Sequence, residues 1–136
     1  MTEEIVVFTN GVFDLLHPGH IHLLEEARQM GTILYVGINS DASTKRLKGP
    51  SRPIYTQGER EYMLSSLKCI NGGIFIFEED TPEELIKMIK PDVLVKGGDY
   101  KIEDVIGRQY AKNVEIIPLL KEYSTTEILR RIKCAT

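Results

Sequence analysis

His17 and His20 are separated by Pro18 and Gly19, and they close the stretch Thr9-Asn10-Gly11-Val12-Phe13-Asp14-Leu15-Leu16-His17-Pro18-Gly19-His20. An apolar run at residues 5–8 precedes this stretch and an amphipathic segment follows it, so the pair falls on a strand-to-helix turn. Pro18 suits the first helical position, where a backbone N–H would have no partner anyway. That sets His17 at or just before the cap and His20 about one turn on, and residues three apart share a helix face. Both imidazoles can then point at one ligand, and Gly19 lets a phosphate come close to the backbone. Two imidazoles beside the unpaired N–H groups of a helix start suit a polyphosphate whose charge grows during transfer. By itself His-x-x-His is more often a packing or surface pair. The strand before it and the glycine inside it favour ligand binding. As a metal pair it is poor: no cysteine cluster or third histidine completes a site, and His22 faces elsewhere.

The elements that must position this turn alternate between strand and helix. Residues 5–8 read as the first strand and 18–30 as a helix with Ile21, Leu24 and Ala27 on one face and Gly31 as its stop. Residues 33–38 are apolar throughout, as expected of a parallel strand covered on both faces. A short helix or turn at 42–47 leads into a loop with Gly49, Pro50 and Pro53. Thr56 and Glu59 form a capping box that opens a helix to about residue 69, with Tyr62, Met63, Ser66 and Leu67 inward. Residues 74–77 are a third strand. Thr81-Pro82-Glu83-Glu84 reads as a second capping box, and its helix ends before Pro91. Residues 93–95 are a fourth strand, 103–112 a helix that Gly107 weakens, and 114–117 a fifth strand. Ser124 and Glu127 form a third capping box, opening the last helix. This order predicts an α/β fold, a Rossmann-like, doubly wound parallel sheet of five strands with helices on both faces. One domain spans residues 1–136.

Loops that follow parallel strands rise on one edge of the sheet, so further polar groups are expected beside the histidines. Lys45, Arg46, Lys48 and Arg52 are four cations within eight residues of a chain whose net charge is −3. Such a run is usually a solvated face; with a glycine and two prolines it also suits a mobile clamp that neutralises phosphate charge and excludes water. Lys96 precedes Gly97 and Gly98; the pattern fits an ordinary tight turn or a point charge beside an approachable backbone. Ser124-Thr125-Thr126 is a helix cap, and its hydroxyls and free N–H groups also suit phosphate oxygens.

The acidic balance argues against a general nucleic-acid or membrane-surface binder. No apolar run approaches bilayer length, and the N-terminus lacks a signal-peptide pattern. Cys69, placed on a helix as a small core residue, and Cys134, placed in a tail, lie far apart with no motif around them. This fits a reduced, cytoplasmic setting. There is no G-x-x-x-x-G-K-[ST], no G-x-G-x-x-G and no serine nucleophile elbow. Chemistry by position and electrostatics, without a covalent intermediate, fits what remains.

The stretch from Gly11 to His20, together with Ser124-Thr125-Thr126-Glu127-Ile128, resembles the H-x-G-H and S-T-T motifs of the cytidylyltransferase-like nucleotidyltransferases. The resemblance covers nearly the whole chain. Asn39–Gly49 with Ser51-Arg52-Pro53, Phe77–Pro82 and Val95-Lys96-Gly97-Gly98-Asp99-Tyr100 resemble its heptose 1-phosphate adenylyltransferase branch, which elsewhere is one domain of ADP-heptose synthase. The glycerol-3-phosphate and choline cytidylyltransferases carry an arginine five residues before the S-T-T serine. Leu119 stands there in this chain, which departs from the cytidylyl pattern and fits the heptose branch.

The resemblance implies transfer of AMP from ATP to D-glycero-β-D-manno-heptose 1-phosphate, with pyrophosphate leaving. It assigns His17 and His20 to the triphosphate and the transition state, Lys45 or a neighbouring cation of its loop to the α-phosphate, and Ser124, Thr125 and Thr126 to the β and γ phosphates. Thr9, Asn10, Gly11, Phe13, Gly19 and Lys96 are placed on the nucleotide. Asp14, Arg52, Gly98 and Asp99 are placed on the sugar phosphate. Mg²⁺ is expected on the nucleotide and water, with no protein metal site. A homodimer and a separate sugar kinase upstream are further expectations. The alternatives are a cytidylyltransferase for glycerol 3-phosphate or phosphoethanolamine, a non-catalytic nucleotide-binding module and, with less support, a pantetheine-phosphate adenylyltransferase.

Overall fold

A computed structural model describes residues 3–135. Five parallel strands form one sheet in the order β3-β2-β1-β4-β5, made by β1 Val6–Gly11, β2 Ile33–Asn39, β3 Gly73–Phe77, β4 Val93–Gly97 and β5 Asn113–Ile117. The helices are α1 Pro18–Arg28, α2 Asp41–Lys48, α3 Gln57–Ser65, α4 Glu83–Ile89 and α5 Thr125–Ala135. The doubly wound fold is the one expected. One face of the sheet packs on Leu23, Leu24 and Ala27 of α1 and Leu64 of α3. The other packs Phe8 and Leu94 on Ile86 of α4 and Val105. Each fully buried large aliphatic side chain contributes roughly 1.5–3 kcal/mol.

Several elements differ from the sequence reading. β1 runs on through Thr9, Asn10 and Gly11, because each pairs with β2 as far as Gly11 opposite Ile38. On α1 the inward positions are Leu23, Leu24 and Ala27, while Ile21 is only half-buried. On α3 the inward residues are Arg60 and Leu64. Tyr62 is 75% exposed, Ser66 is exposed, and the helix ends before Leu67. Cys69 therefore sits in a turn, partly buried against the core. Cys134 is exposed on α5 and not in a tail.

The Thr56–Glu59 capping box forms with both of its hydrogen bonds. At α4 it does not: Pro82 is the cap residue and no side chain caps it. At α5 only half of the box is found, Glu127 N–H donating to Ser124 Oγ at 3.0 Å, while the Glu127 carboxylate turns to Arg130 and Arg131. The helix expected at 103–112 is replaced by two short 3₁₀ turns, Ile102–Asp104 and Arg108–Tyr110, separated by Gly107 at φ +90°. No helix among the described residues is long and apolar enough to cross a membrane.

Strand order reverses between β1 and β4, and their pairing stops at Phe8 opposite Leu94. Beyond that point the strands part, leaving a crevice at the carboxyl edge. This is where ligands bind in open α/β sheets.

Candidate active site

β1 ends in a turn that its own residues shape. Phe13 takes a left-handed conformation, φ +51°, uncommon for an aromatic residue. Its ring folds back over Gly11, where a Cβ would meet Phe13 Cε2 at 2.9 Å. The same ring lies 5.2 Å from that of His20. Asp14 follows and is almost fully buried.

His17 caps α1 in extended conformation and makes no side-chain cap bond, with Pro18 behind it. Its ring stacks on that of His20 at 3.7 Å between centroids and 22° between planes. Gly19 makes this possible, because a Cβ there would lie 2.9 Å from His17 Cε1. The Nδ1 atoms of both histidines are buried without a hydrogen-bond partner. Burial, and then the neighbouring His17, push the His20 pKa down to about 4, against a hydrogen bond to the Leu15 backbone that raises it. Burial also lowers that of His17. Two neutral imidazoles on a helix N-terminus, each with its Nδ1 unpartnered, are poised for an anion that would draw protons onto them.

The pair opens into a cavity of about 540 Å³, a size that suits a small-molecule ligand. Segments from both ends of the chain wall it. The turn after β1 contributes Phe13, Asp14, His17, Gly19 and His20. Thr44 and Lys48 come from α2, and Arg52 from the loop after it. Opposite lie Leu119, Leu120 and Tyr123, then Ser124, Thr125 and Thr126 at the start of α5. Tyr123 lies nearly parallel to His17, at 6.2 Å and 17°.

Of the four cations, Lys48 and Arg52 reach this cavity. Lys45 is exposed and does not line it. Thr44 and Lys48, one turn apart on α2, face the cavity, and Lys45 is rotated about 100° from Thr44 on a 3.6-residue helix. Arg46 points away, its Nε 2.8 Å from Asp80 Oδ1 and its Nη2 donating to the Glu78 carbonyl.

Other assignments also shift. Thr9 is buried, and its hydroxyl donates to the Val95 carbonyl at 2.9 Å, bridging β1 and β4 where they part. Both Asp14 carboxylate oxygens accept backbone N–H groups, from Ile54 at 2.7 Å and Tyr55 at 2.9 Å. Asp14 therefore anchors the cation-bearing loop, although it borders the cavity.

Asn10 and Lys96 lie apart from the histidine cavity, in a smaller recess of about 130 Å³ that also includes Tyr100 and Asp104. This recess sits at the crevice between β1 and β4. The Lys96 ammonium lies 4.8 Å from the centre of the Tyr100 ring. Burial lowers its pKa, and so does the Lys48 ammonium. Gly98, at φ +121°, and the exposed Asp99 shape the loop beside it without lining either.

Sequence reasoning missed three residues here. Tyr123 lines the cavity without belonging to a motif, and Thr44 lines it from within the Asn39–Gly49 stretch, where the sequence reading gives it no role. Arg60 is fully buried behind it. Placing the inward face of α3 on Leu64 would have found Arg60, one turn earlier on the same face.

The sequence model of the cytidylyltransferase-like family matches residues 8–131. The chain is 54% identical over 128 residues to the bifunctional protein HldE of a Nitratiruptor species, covering 94% of this chain and 28% of that protein. It is 49% identical over 131 residues to the bifunctional protein HldE of Helicobacter pylori (strain Shi470), covering 96% of this chain and 28% of that one. It thus spans less than a third of the length of these curated relatives. The solved lipopolysaccharide core biosynthesis protein of Thermoplasma volcanium GSS1 matches with a TM-score of 0.69 at 31% identity, over 86% of this chain and 97% of that one.

Proposed function

The chain belongs to the cytidylyltransferase-like family of nucleotidyltransferases, and from that premise we propose that it transfers AMP from ATP to a sugar 1-phosphate, D-glycero-β-D-manno-heptose 1-phosphate, giving ADP-heptose and pyrophosphate. The observation that carries the reading is that the histidine turn and the Ser124–Thr126 helix start, from opposite ends of the chain, wall one cavity with Lys48 and Arg52 beside them. The likeness to proteins named HldE supports the heptose branch. So does Leu119, which leaves an apolar wall where the cytidylyl branch carries an arginine.

In this reading the triphosphate lies between the imidazoles and the hydroxyls of Ser124, Thr125 and Thr126. Mg²⁺ arrives with it as part of the substrate. Asp14, the carboxylate on the cavity wall, already accepts two backbone N–H groups, and among the described residues no group of three or more His, Cys, Asp or Glu forms a cage. The acceptor occupies the neighbouring recess, its phosphate near Lys96 and its hydroxyls near Asn10 and Asp104. A phosphate monoester is mostly dianionic at neutral pH, its second pKa being about 6, so its oxygen attacks without a general base. That oxygen forms the new bond to the α-phosphorus, and the bond from the α-phosphorus to the bridging oxygen breaks. The electron pair leaves with Mg²⁺-pyrophosphate. The imidazoles, Lys48 and Arg52 stabilise the charge that builds on the phosphoryl oxygens. The Lys45 assignment passes to Lys48.

Pyrophosphate release measured with ATP, CTP and GTP, each against heptose 1-phosphate and glycerol 3-phosphate, tests this. Turnover with ATP and the heptose phosphate alone is expected. Turnover with CTP and glycerol 3-phosphate would replace the substrate assignment. Nucleotide binding without turnover on any pair would favour a non-catalytic module.

A further inference from the structure

Arg60 is 0% exposed and lines neither recess. Its guanidinium reaches four acceptors. Nη1 donates to the Val12 carbonyl at 2.9 Å and the Asn39 carbonyl at 2.8 Å. Nε donates to the Tyr55 carbonyl at 3.1 Å, and Nη2 to Asp41 Oδ1 at 2.9 Å. A buried guanidinium is costly and is poor evidence of a stability device, since apolar packing fills such a site at least as well. What the acceptors share is their place. Val12 directly precedes Phe13 and Asp14 of the histidine turn. Asn39 and Asp41 flank Ser40, whose side chain caps α2, the helix of Thr44 and Lys48. Tyr55 ends the segment that carries Arg52, and its N–H is held by Asp14. Gln57 closes the set by exchanging hydrogen bonds with Asp41 at 2.8 and 2.9 Å.

We propose that Arg60 is a positioning residue for nucleotidyl transfer. From behind the cavity it fixes the cation-bearing segments, Lys48 and Arg52, in register with the His17–His20 turn. No other described side chain hydrogen-bonds the ends of β1 and β2, the start of α2 and the segment before α3 together. The Ser124–Thr126 wall lies outside its reach. Nucleotide can therefore still bind when Arg60 is lost, while the cations that act on the developing charge go out of place. A misplacement of about 1 Å lowers rates by roughly 100-fold.

The inference rests on the nucleotidyl-transfer reading, so its test has one arm that needs no turnover. Arg60→Gln, Arg60→Lys and Asp41→Asn are compared with the parent chain after thermal melts establish that each is folded. Arg60→Gln is expected to lower kcat about 100-fold with the Kd for ATP within about threefold, and Arg60→Lys to recover part of kcat. Tryptic cleavage after Lys48 is expected to quicken about tenfold in Arg60→Gln and less in Arg60→Lys. A folded Arg60→Gln with normal kcat and unchanged cleavage overturns the proposal. So does a fall in kcat and ATP affinity together that follows only the folded fraction. Should Arg60→Gln not fold, Arg60→Lys and Asp41→Asn decide it: reduced kcat with intact ATP binding in both supports the proposal, and normal kcat in both overturns it. If the parent chain turns over no substrate, the reaction reading fails, and cleavage after Lys48 still decides whether Arg60 holds the loop.

Discussion

At neutral pH the imidazoles of the turn meet their ligand uncharged. His20, with a pKa of about 4, is held neutral by burial and by His17, and in the proposed reading a bound triphosphate raises both pKa values and draws protons from solution. Calorimetry in buffers of different ionisation enthalpy should show proton uptake on ATP binding, and affinity should rise between pH 8 and 6. Uptake indistinguishable from zero would mean the phosphates do not reach the rings. The free chain shows the opposite sign. Because the folded pKa lies below the unfolded value of 6.5, the unfolded chain binds the proton first. The His20 contribution to stability is complete above pH 6.5 and is lost as pH falls towards about 4. His20→Ala should remove that segment of the pH–stability curve and lower kcat by roughly 100- to 1,000-fold with the fold intact; near-normal turnover would contradict its role. The histidine pair was legible from spacing alone. The ring stacking that requires Gly19, and the bond from the Thr9 hydroxyl to Val95, were not, because both depend on partners brought in by the fold.

Among the elements, the segment between α2 and α3 is held by few, nameable bonds. Asp14 supplies two of them. Asp14→Ala should loosen residues 49–54, raise the KM for ATP through Arg52 and speed tryptic cleavage after Lys48, with a smaller effect on the melting temperature than a core truncation such as Leu24→Ala. Equal kinetics for Asp14→Ala and the parent would remove its anchoring role. At the opposite edge of the sheet, Asp92 accepts the Val6 N–H at 2.7 Å and pairs with Lys112 at 3.0 Å. The Val6 bond, then Lys112, hold its pKa below the usual carboxylate value. Its contribution is therefore present above the unfolded value near 3.8 and is lost as pH falls below that. Asp92→Ala should melt several degrees lower at pH 7, with the gap to the parent closing in strong acid; a constant gap would show that the charge contributes nothing. Strands and the Thr56 cap were legible because periodicity and capping chemistry are local. The 103–112 region was not, because Gly107 at positive φ breaks a pattern that composition reads as helical.

For the whole molecule, the order β3-β2-β1-β4-β5 places the switch point between β1 and β4, and the two recesses flank it. The alternation of strands and helices made this architecture legible, together with the edge on which the loops meet. It could not tell which loops share a cavity. Lys48 of α2, Arg52 and the α5 start wall the histidine cavity, whereas the loop after β4 borders the second recess. In the proposed reading a donor in one recess and an acceptor in the other would meet over the carboxyl ends of β1 and β4, which is what direct transfer without an enzyme-bound nucleotidyl group requires. The most direct measurement follows ATP labelled at the α-phosphate through a single turnover with heptose 1-phosphate. The label is expected to move into the sugar nucleotide in step with pyrophosphate release, with none found on the protein. Label on the protein, or released as free AMP while the sugar phosphate stays unchanged, would contradict it.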